Sequence, residues 1–227
     1  MVIITDTETT GIDCAVDRLV ELAACPVGTD YGNFTTFVNP ERDIPPEAKA
    51  IHHITEADVA DAPKEGAALV QMMEHYQFQP TVFVAHNAKF DRGFINRINP
   101  ALQVDWICTY KCAVLAWPDA PSHSNQVLRY YLDLDLSSQL PEGLFPHRAL
   151  YDTIVTRGIL ERLLQRVDLA RLIEISSGPI LLKKVSFGKH KGEPWDKVPY
   201  GYLKWCVSQA DMNEDVLYTA RYYMENK

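Results

Sequence analysis

Two acidic residues stand two positions apart near the start of the chain, at the end of an apolar run. The segment reads MVIITDTETTG, and the acids are Asp6 and Glu8. Side chains two positions apart on a β-strand point to the same face, so the two carboxylates repel each other unless a cation lies between them. Asp and Thr are also common in turns, and Gly11 is a natural strand breaker. On these residues alone, a metal site and a structural turn are equally favoured interpretations.

Two further segments place an acid beside an apolar element. HNAKFD (86–91) puts Asp91 in the first turns of a predicted helix, where an acid also suits the helix dipole. HRALYD (147–152) puts His147 five residues before Asp152. Five residues of continuous helix rotate by roughly 140°, so these two side chains can cooperate only if His147 lies on the loop before the helix. The neighbouring Pro146 favours such a loop.

These segments together supply four acids, namely Asp6, Glu8, Asp91 and Asp152. Four acids in one fold need cations to offset their repulsion, and hard divalent ions such as Mg²⁺ or Mn²⁺ prefer oxygen ligands. Two such ions about 3.5–4 Å apart activate water and stabilise the leaving oxygen of a phosphodiester. A histidine titrates near neutral pH, so His147 is suited to take the proton from that water, a role worth roughly 10²–10⁴ in rate.

The set DTETTG, HNAKFD and HRALYD, in this order and at this spacing, resembles the DEDDh family of 3′–5′ exonucleases. The resemblance covers about residues 1–165 and implies the RNase H-like exonuclease fold that proofreading subunits of DNA polymerases share. It implies two Mg²⁺ or Mn²⁺ ions and a general base, His147. The implied metal ligands are Asp6, Glu8, Asp91 and Asp152. The tyrosine subgroup has a Tyr four residues before the last Asp, where this chain has Arg148, so the histidine subgroup is favoured.

The C-terminal part of the chain differs in character from the rest. Between Lys183 and Lys204 it carries six lysines against two acids, a local charge of +4 on a chain of net charge −8. FGKHKG and VPYGYLKW resemble the small C-terminal segment of exodeoxyribonuclease X-like proteins, as do ICTYKCAVLAWP and PSHSN in the middle of the chain. Basic groups interleaved with aromatics suit contact along a nucleic-acid backbone, which makes Lys189 and Lys191 candidate contacts. A solvated basic loop over an aromatic core is equally favoured.

Residues near the predicted acids are expected to bind the terminal nucleotide. Ile12 either stacks beside the last base or tucks onto the core, while Thr9 and Thr10 either hydrogen-bond the 3′ end or only shape the turn. AIHHIT (50–55) resembles the family's IHGIT element, with His53 in place of glycine. For Phe90, packing into the core is the favoured interpretation. The full set of candidate substrate contacts is Thr7, Thr9, Thr10, Gly11, Ile12, His52, Asn87, Phe90, Lys189 and Lys191.

Hydrophobic periodicity predicts the elements that carry these residues. Strands are predicted at Val2–Asp6, Leu19–Val27, Phe34–Val38, Thr81–Ala85 and Trp106–Cys108. Helices are predicted at Glu65–Phe78, Arg148–Leu164 and Asp168–Ile175. Further helices are predicted from a cap at Asn87 to Ile98, from the end of the last strand towards Trp117, from a cap at Ser124 to Leu132, and from about Asn213.

The order of these elements predicts the fold class. Three early strands with short connections predict an antiparallel meander, and the later alternation of strands and helices predicts an α/β domain with a mixed central sheet flanked by helices. SSGP (176–179) reads as a hinge. The chain is therefore divided into an exonuclease domain (1–165), a helix and hinge (166–179), and a small basic and aromatic C-terminal module (180–227).

The composition excludes several classes of protein. No stretch approaches the roughly 20 apolar residues of a membrane span, and the N-terminus lacks a signal-peptide pattern, so a cytoplasmic protein without a membrane partner is predicted. Five scattered cysteines without a CxxC pair argue against a disulfide framework and a zinc ribbon, and predict buried free thiols. A net charge of −8 argues against nucleic-acid binding through a general positive field.

The leading functional prediction is a metal-dependent 3′–5′ exonuclease that releases nucleoside 5′-monophosphates from DNA 3′ ends, single-stranded or duplex. The same chemistry on RNA is an open alternative, because no 2′-hydroxyl pocket can be identified. An internal cutter is disfavoured by the terminal-nucleotide motifs. A non-catalytic nucleic-acid-binding protein is disfavoured because the four acids and His147 are all present. The oligomeric state, including a homodimer, is open.

Overall fold

The computed structural model describes residues 1–29, 31–77 and 79–226. Its centre is a five-stranded sheet in the order β3-β2-β1-β4-β5. The strands β1 to β3 pair antiparallel, whereas β4 is parallel to both β1 and β5. The predicted meander and mixed sheet are therefore confirmed. The strands are β1 (Val2–Thr9), β2 (Leu19–Pro26), β3 (Phe34–Phe37), β4 (Val82–Ala85) and β5 (Asp105–Cys108).

Ten α-helices in the described residues flank the sheet and form the C-terminal part. They are α1 (Pro46–His52), α2 (Glu56–Val59), α3 (Glu65–Tyr76), α4 (Lys89–Ile98), α5 (Thr109–Ala116), α6 (Asn125–Tyr131), α7 (Ala149–Leu164), α8 (Leu169–Ser176), α9 (Tyr200–Ser208) and α10 (Glu214–Glu225). The helices α1, α2 and α9 were not predicted. Phe78, the predicted end of α3, lies outside the described residues. No helix of the described residues has the length and apolar composition needed to cross a membrane.

The central strands bury both faces because successive side chains point to opposite sides of the sheet. Ile4 and Val84 pack with Val155 of α7 in one apolar cluster. Ile3 and Phe83 pack in a second cluster with α3 and α4 on the other side. On β1, even-numbered side chains therefore face α7 and odd-numbered ones face α3 and α4. This alternation decides where Asp6 and Glu8 project.

Two predicted helix caps differ from the structure. Asn87 does not cap α4: its backbone is left-handed, with a φ of 70°, and Ala88 holds the cap position. Asn tolerates the left-handed region better than most residues, so it can form this tight turn before the helix. Ser124 stands at the cap position of α6, but its side chain makes no capping hydrogen bond. Asp168 and Asn213 do cap α8 and α10 through their side chains.

The C-terminal residues form an apolar cluster of their own. Its buried members are Val185, Trp195, Val198, Leu203, Cys206, Val216 and Ala220. Lys111 of α5 joins this part to the sheet domain: its ammonium group donates to Gly178 O at 2.9 Å and to Glu214 Oε1 at 2.8 Å, and lies 3.4 Å from Asp215 Oδ1. Of the five free cysteines, Cys14 is half-buried and the others are buried.

Candidate active site

Three acids come together where β1 extends past its neighbour. The last pair between β1 and β4 joins Ile4 to Val84, so Asp6 and Glu8 lie beyond the end of β4. Both side chains project toward α7, whose first turn contains Asp152. One carboxylate oxygen from each of these acids lies within 4.8 Å of the other two. The structure thus brings together acids that the sequence separates by more than 140 positions.

Asp152 is held by two hydrogen bonds. The backbone N–H of His147 donates to its Oδ2 at 3.0 Å, and Gln126 Nε2 donates to its Oδ1 at 3.0 Å. Gln126 lies in the first turn of α6 and was missed by the sequence analysis. No spacing rule connects it to an acid 26 residues later, so no sequence signal could have found it. The two donors fix the orientation of the carboxylate.

Asp91 approaches the cluster from the other side of the sheet. It lies in the first turn of α4, is 2% exposed, and accepts a hydrogen bond from Thr7 Oγ1 at 2.9 Å. It is not part of the tight group of three carboxylates. Its charge nevertheless contributes the strongest repulsion that Asp6 experiences.

Burial, with repulsion between some of the acids, raises the pKa values of the site. Burial, followed by repulsion from Asp91 and the other acids, holds the pKa of Asp6 well above its usual range. Burial is also the main reason that the pKa of Glu8 rises to about 9 and that of Asp91 to about 7. Burial likewise raises the pKa of Asp152. A divalent cation would relieve this cost, and a donor set made only of carboxylate oxygens fits a hard ion.

His147 lies on the loop directly before α7, as its spacing from Asp152 required. Its side chain is exposed, and its backbone is left-handed, with a φ of 65°. The next residue, Arg148, forms an ion pair with Glu21 of β2, with Nη2 2.7 Å from Oε1. Glu21 is a second residue near the site that the sequence analysis missed, because its partner lies 127 positions away.

The threonines of the opening motif use their hydroxyls inside the protein. Thr7 donates to Asp91, Thr9 donates to Gly11 O at 2.6 Å, and Thr10 donates to Asp17 Oδ1 at 3.1 Å. Gly11 is needed for packing, since a Cβ atom there would lie 2.4 Å from Asp17 Oδ2. These contacts favour the turn-shaping interpretation for Thr9 and Thr10.

Ile12 and Asn87 are both exposed, and each lies four positions along the chain from an acid of the motifs. Ile12 is 89% exposed, so the alternative that it tucks onto the core is wrong. Asn87 is exposed at the left-handed turn before α4. Phe90 is half-buried and packs against the apolar cluster, with its ring 5.1 Å from that of Phe94. This is the favoured packing of Phe90.

The two histidines of AIHHIT have different environments. His52 is 2% exposed, and its Nδ1 accepts from the backbone N–H of Ile54 at 3.0 Å. Its Nε2 is buried without a hydrogen-bond partner among the residues described. His53 ends α1 in a left-handed conformation with a φ of 57°, a backbone region that glycine adopts more readily than other residues.

Three other histidines, His75, His86 and His190, make contacts within the protein. His86 is bonded through Nδ1 to Thr109 and through Nε2 to His123 O, and burial lowers its pKa to about 4. His75 contacts Gly32 O, and His190 contacts the Glu193 carboxylate.

The two candidate lysines of the C-terminal part are exposed but differ in surroundings. Lys189 Nζ lies 5.8 Å from the centre of the Tyr202 ring. Lys191 lines a crevice of about 600 Å³ that also contains Lys183 and Tyr110. Gly188 permits the loop, because its φ is 62° and a Cβ would lie 2.6 Å from the Tyr202 hydroxyl.

Comparison with known proteins gives consistent matches. Residues 3–160 match the family RNase_T, described as exonuclease. Exodeoxyribonuclease 10 of Escherichia coli K12 is 36% identical over the full length of both chains. A structure of exonuclease X in complex with 5′-overhanging duplex DNA has 35% identity and a TM-score of 0.64, and covers 78% of this chain and all of that one. The nuclease domain of 3′hExo, a DEDDh family member bound to rAMP, shares the fold at 18% identity, with a TM-score of 0.57 over 72% of this chain and 91% of that one.

Proposed function

Because the chain belongs to the RNase_T exonuclease family, in its DEDDh group, we propose that this exonuclease removes nucleotides from the 3′ end of DNA by metal-dependent hydrolysis. Its products would be nucleoside 5′-monophosphates. The observation that carries this proposal is the meeting of Asp6, Glu8 and Asp152 within 4.8 Å, beside the His147 loop.

The DEDDh family depends on divalent metal ions, and we propose two Mg²⁺ or Mn²⁺ ions here. Asp6, Glu8 and Asp152 would hold them, with Asp91 contributing from α4. Bound ions of this type lower the pKa of water and stabilise charge on the leaving oxygen of a phosphodiester. The raised pKa values of the buried acids support a cation at this position.

We propose that His147 is the general base and takes a proton from the attacking water. Its side chain is exposed and its backbone N–H bonds Asp152, which supports this role because a general base must reach a solvent-derived proton beside the scissile phosphate. Asp152 keeps its orientation through the His147 N–H and Gln126.

The exposed rim of the site is proposed to hold the 3′ nucleotide. Ile12, at 89% exposure, would pack against the terminal base, and Asn87 would contact the sugar. His52 is proposed to contribute as well, because its buried Nε2 has no hydrogen-bond partner among the residues described. Thr7, Thr9 and Thr10 would shape this turn.

DNA is the proposed substrate because the relative that matches over its full length is named an exodeoxyribonuclease. RNA remains the alternative, since the fold neighbour 3′hExo is bound to rAMP. Because this neighbour is 18% identical, the likeness shows the shared fold and does not decide between DNA and RNA. The two substrates differ by the 2′-hydroxyl, so a direct comparison of rates on matched oligonucleotides distinguishes them.

We also propose that the exonuclease domain (1–165), the connecting helix and hinge (166–179) and the C-terminal module (180–227) have separate tasks. The separate apolar cluster around Trp195 supports this division. In this proposal, Lys189 and Lys191 contact the upstream strand or duplex while the acids act on the 3′ end. We further propose a cytoplasmic location, which the five free cysteines support.

The test uses 5′-labelled DNA and RNA oligonucleotides of matched sequence, with Mg²⁺ or with EDTA. The wild type is compared with Asp6→Ala and with a matched control, Glu74→Ala, which removes an exposed acid of α3. We expect a Mg²⁺-dependent ladder shortening from the 3′ end for the wild type and the control only. The faster substrate identifies DNA or RNA. Intact oligonucleotides with every divalent metal, together with retained DNA binding, would instead indicate a non-catalytic binding protein.

A further inference from the structure

A buried ion pair lies directly beside the His147 loop. Glu21 of β2 stands opposite Glu8 in the β1–β2 ladder and is 2% exposed. Its carboxylate accepts two hydrogen bonds from Arg148, from Nε at 3.0 Å and from Nη2 at 2.7 Å. The guanidinium also lies 5.0 Å from the centre of the Phe37 ring. This bidentate geometry fixes Arg148 against the sheet.

The same carboxylate binds the start of α7. Glu21 Oε2 accepts the backbone N–H of Ala149 at 2.9 Å, one of the helix-terminal donors that have no partner within the helix. On the other side of Arg148, the His147 N–H donates to Asp152 at 3.0 Å. The short segment 147–149 is therefore held at both ends, once by the metal-site acid and once by Glu21.

The backbone conformation of His147 requires such support from its neighbours. With a φ of 65°, it occupies the left-handed region, which a residue with a Cβ rarely adopts unless the surroundings enforce it. A relaxed backbone at this position would redirect the imidazole.

We propose that Glu21 and Arg148 form a positioning pair that holds His147 over the acid cluster. The inference rests on the proposed role of His147 as general base. Neither Glu21 nor Arg148 touches the reacting atoms in this proposal. They act through the backbone of His147, so their loss lowers the rate of the chemical step and leaves substrate affinity largely intact.

The protein contains a matched control for this pair. Glu65 of α3 accepts two hydrogen bonds from Arg97, at 2.6 and 3.1 Å, and one from the backbone N–H of Leu19 at 2.8 Å. The Arg97 side chain is 26% exposed and that of Arg148 is 22% exposed. The two pairs share chemistry and geometry, but only the Glu21 pair adjoins His147.

The experiment is a double-mutant cycle on a single-stranded DNA oligonucleotide. Single-turnover rates, with enzyme in excess, are measured for Arg148→Met, His147→Ala, the double variant and Arg97→Met, and KM is measured separately. We expect Arg148→Met to lower the rate about 10- to 100-fold with KM changed less than about twofold, because a displacement of about 1 Å at a catalytic group has this effect. In the His147→Ala background the same substitution should change the rate less than about twofold. Arg97→Met should leave both quantities within about twofold of the wild type.

Several outcomes overturn the proposal. An unchanged rate in Arg148→Met does so, as does a rate loss that is equally large in the His147→Ala background. A rise in KM alone would make Arg148 a substrate contact instead. If Arg148→Met does not fold, Arg148→Lys and Glu21→Gln replace it, and Arg148→Lys, which keeps the charge, should retain more activity than Glu21→Gln. Full activity of His147→Ala would refute the proposed role of His147 as general base. The activity of Arg148→Met alone tests only the positioning pair, so the two failures are distinguishable.

Discussion

Two regions of the protein concentrate charge of one sign in different environments. The acid cluster consists of Asp6, Glu8 and Asp152, and the lysine loop is the C-terminal loop that carries Lys189 and Lys191. At the cluster, Asp6 and Glu8 are half-buried and face Asp152, and burial followed by repulsion from neighbouring acids raises their pKa values. In the loop, Lys189 and Lys191 are exposed, so water stabilises their charges. A buried group of like charges is costly without a bound cation, whereas exposed lysines are stable alone. The first arrangement suits catalysis with a metal, and the second suits adjustable binding of a polyanion.

A third arrangement joins the two regions. Lys111 is 9% exposed and lies between Glu214 and Asp215 at the start of α10. Lys111 and Asp215 are buried and Glu214 is exposed, so the charge of this lysine is balanced by acids of the same chain. Charge matched inside the chain therefore supports the fold, and charge left unmatched lies at the surfaces where metal and substrate are proposed to bind.

The largest effect is expected at the cluster, from Glu8→Gln. The substitution keeps the shape but removes a metal ligand, so the single-turnover rate should fall about 10³-fold, equivalent to roughly 4 kcal/mol in the transition state. Stability without metal should rise, because one of the repelling acids is gone. Rate measurements in Mg²⁺ and thermal unfolding in EDTA test both parts. A rate within tenfold of the wild type would remove Glu8 from the metal site.

The next largest effect is expected from Lys111→Met, where Lys111 connects the sheet domain to the C-terminal part. Breaking a buried ion pair by removing one partner should cost about 3 kcal/mol. Hydrogen exchange should show faster opening of residues 180–226, while β1 and α7 stay protected. Lys204→Met, at an exposed position of α9, is the matched control and should change little. Equal loss of protection throughout the chain would contradict a separate C-terminal module.

The sequence predicted the sheet and the acid motifs because both depend on local patterns. The apolar run of β4 is buried on both faces, and the spacing in HRALYD places His147 on the loop before α7. The contacts of Gln126 and Glu21 join distant positions, which spacing alone cannot reveal. The cap predicted at Asn87 was wrong because Asn favours both helix caps and left-handed turns, so its identity does not distinguish them. The short helices α1 and α2 were missed within a segment rich in turn residues.

The pH dependence of thermal stability without metal tests whether the acids of the cluster lack a balancing charge. Glu8 has a pKa of about 9 in the folded chain and an ordinary value of 4.5, and Asp91 has about 7 against 3.8. Between these values the folded chain binds more protons than the unfolded chain, so stability without metal falls as pH rises. From pH 7 to 9 in EDTA, Tm should fall by at least about 3 °C, or roughly 1 kcal/mol.

Most of this window lies above the titration of the buried His86, whose pKa is about 4 in the folded chain and 6.5 ordinarily. Mg²⁺ should raise Tm more at pH 9 than at pH 7, because metal binding competes with protons for the same oxygens. Glu8→Gln should flatten the decline in EDTA. A Tm that rises with pH in EDTA would show that the acids are already neutralised within the protein.

The smallest effect is expected in the lysine loop, from the double substitution of Lys189 and Lys191 by Ala. If each lysine contacts one phosphate of a single strand, the slope of log affinity against log salt concentration should lose about 1.4 in magnitude, at roughly 0.7 per contact. The control substitutes Lys197 and Lys204, which are exposed in the same module and remove the same charge. Fluorescence anisotropy with a labelled oligonucleotide, in Ca²⁺ or EDTA to prevent cleavage, measures the slope. Equal changes in both double variants would mean that only the general charge of the module matters, and an unchanged slope would exclude the loop from the DNA contact. A loss confined to the Lys189 and Lys191 variant would instead locate the contact, because a lysine changes the salt slope only where it replaces the counterion of a phosphate.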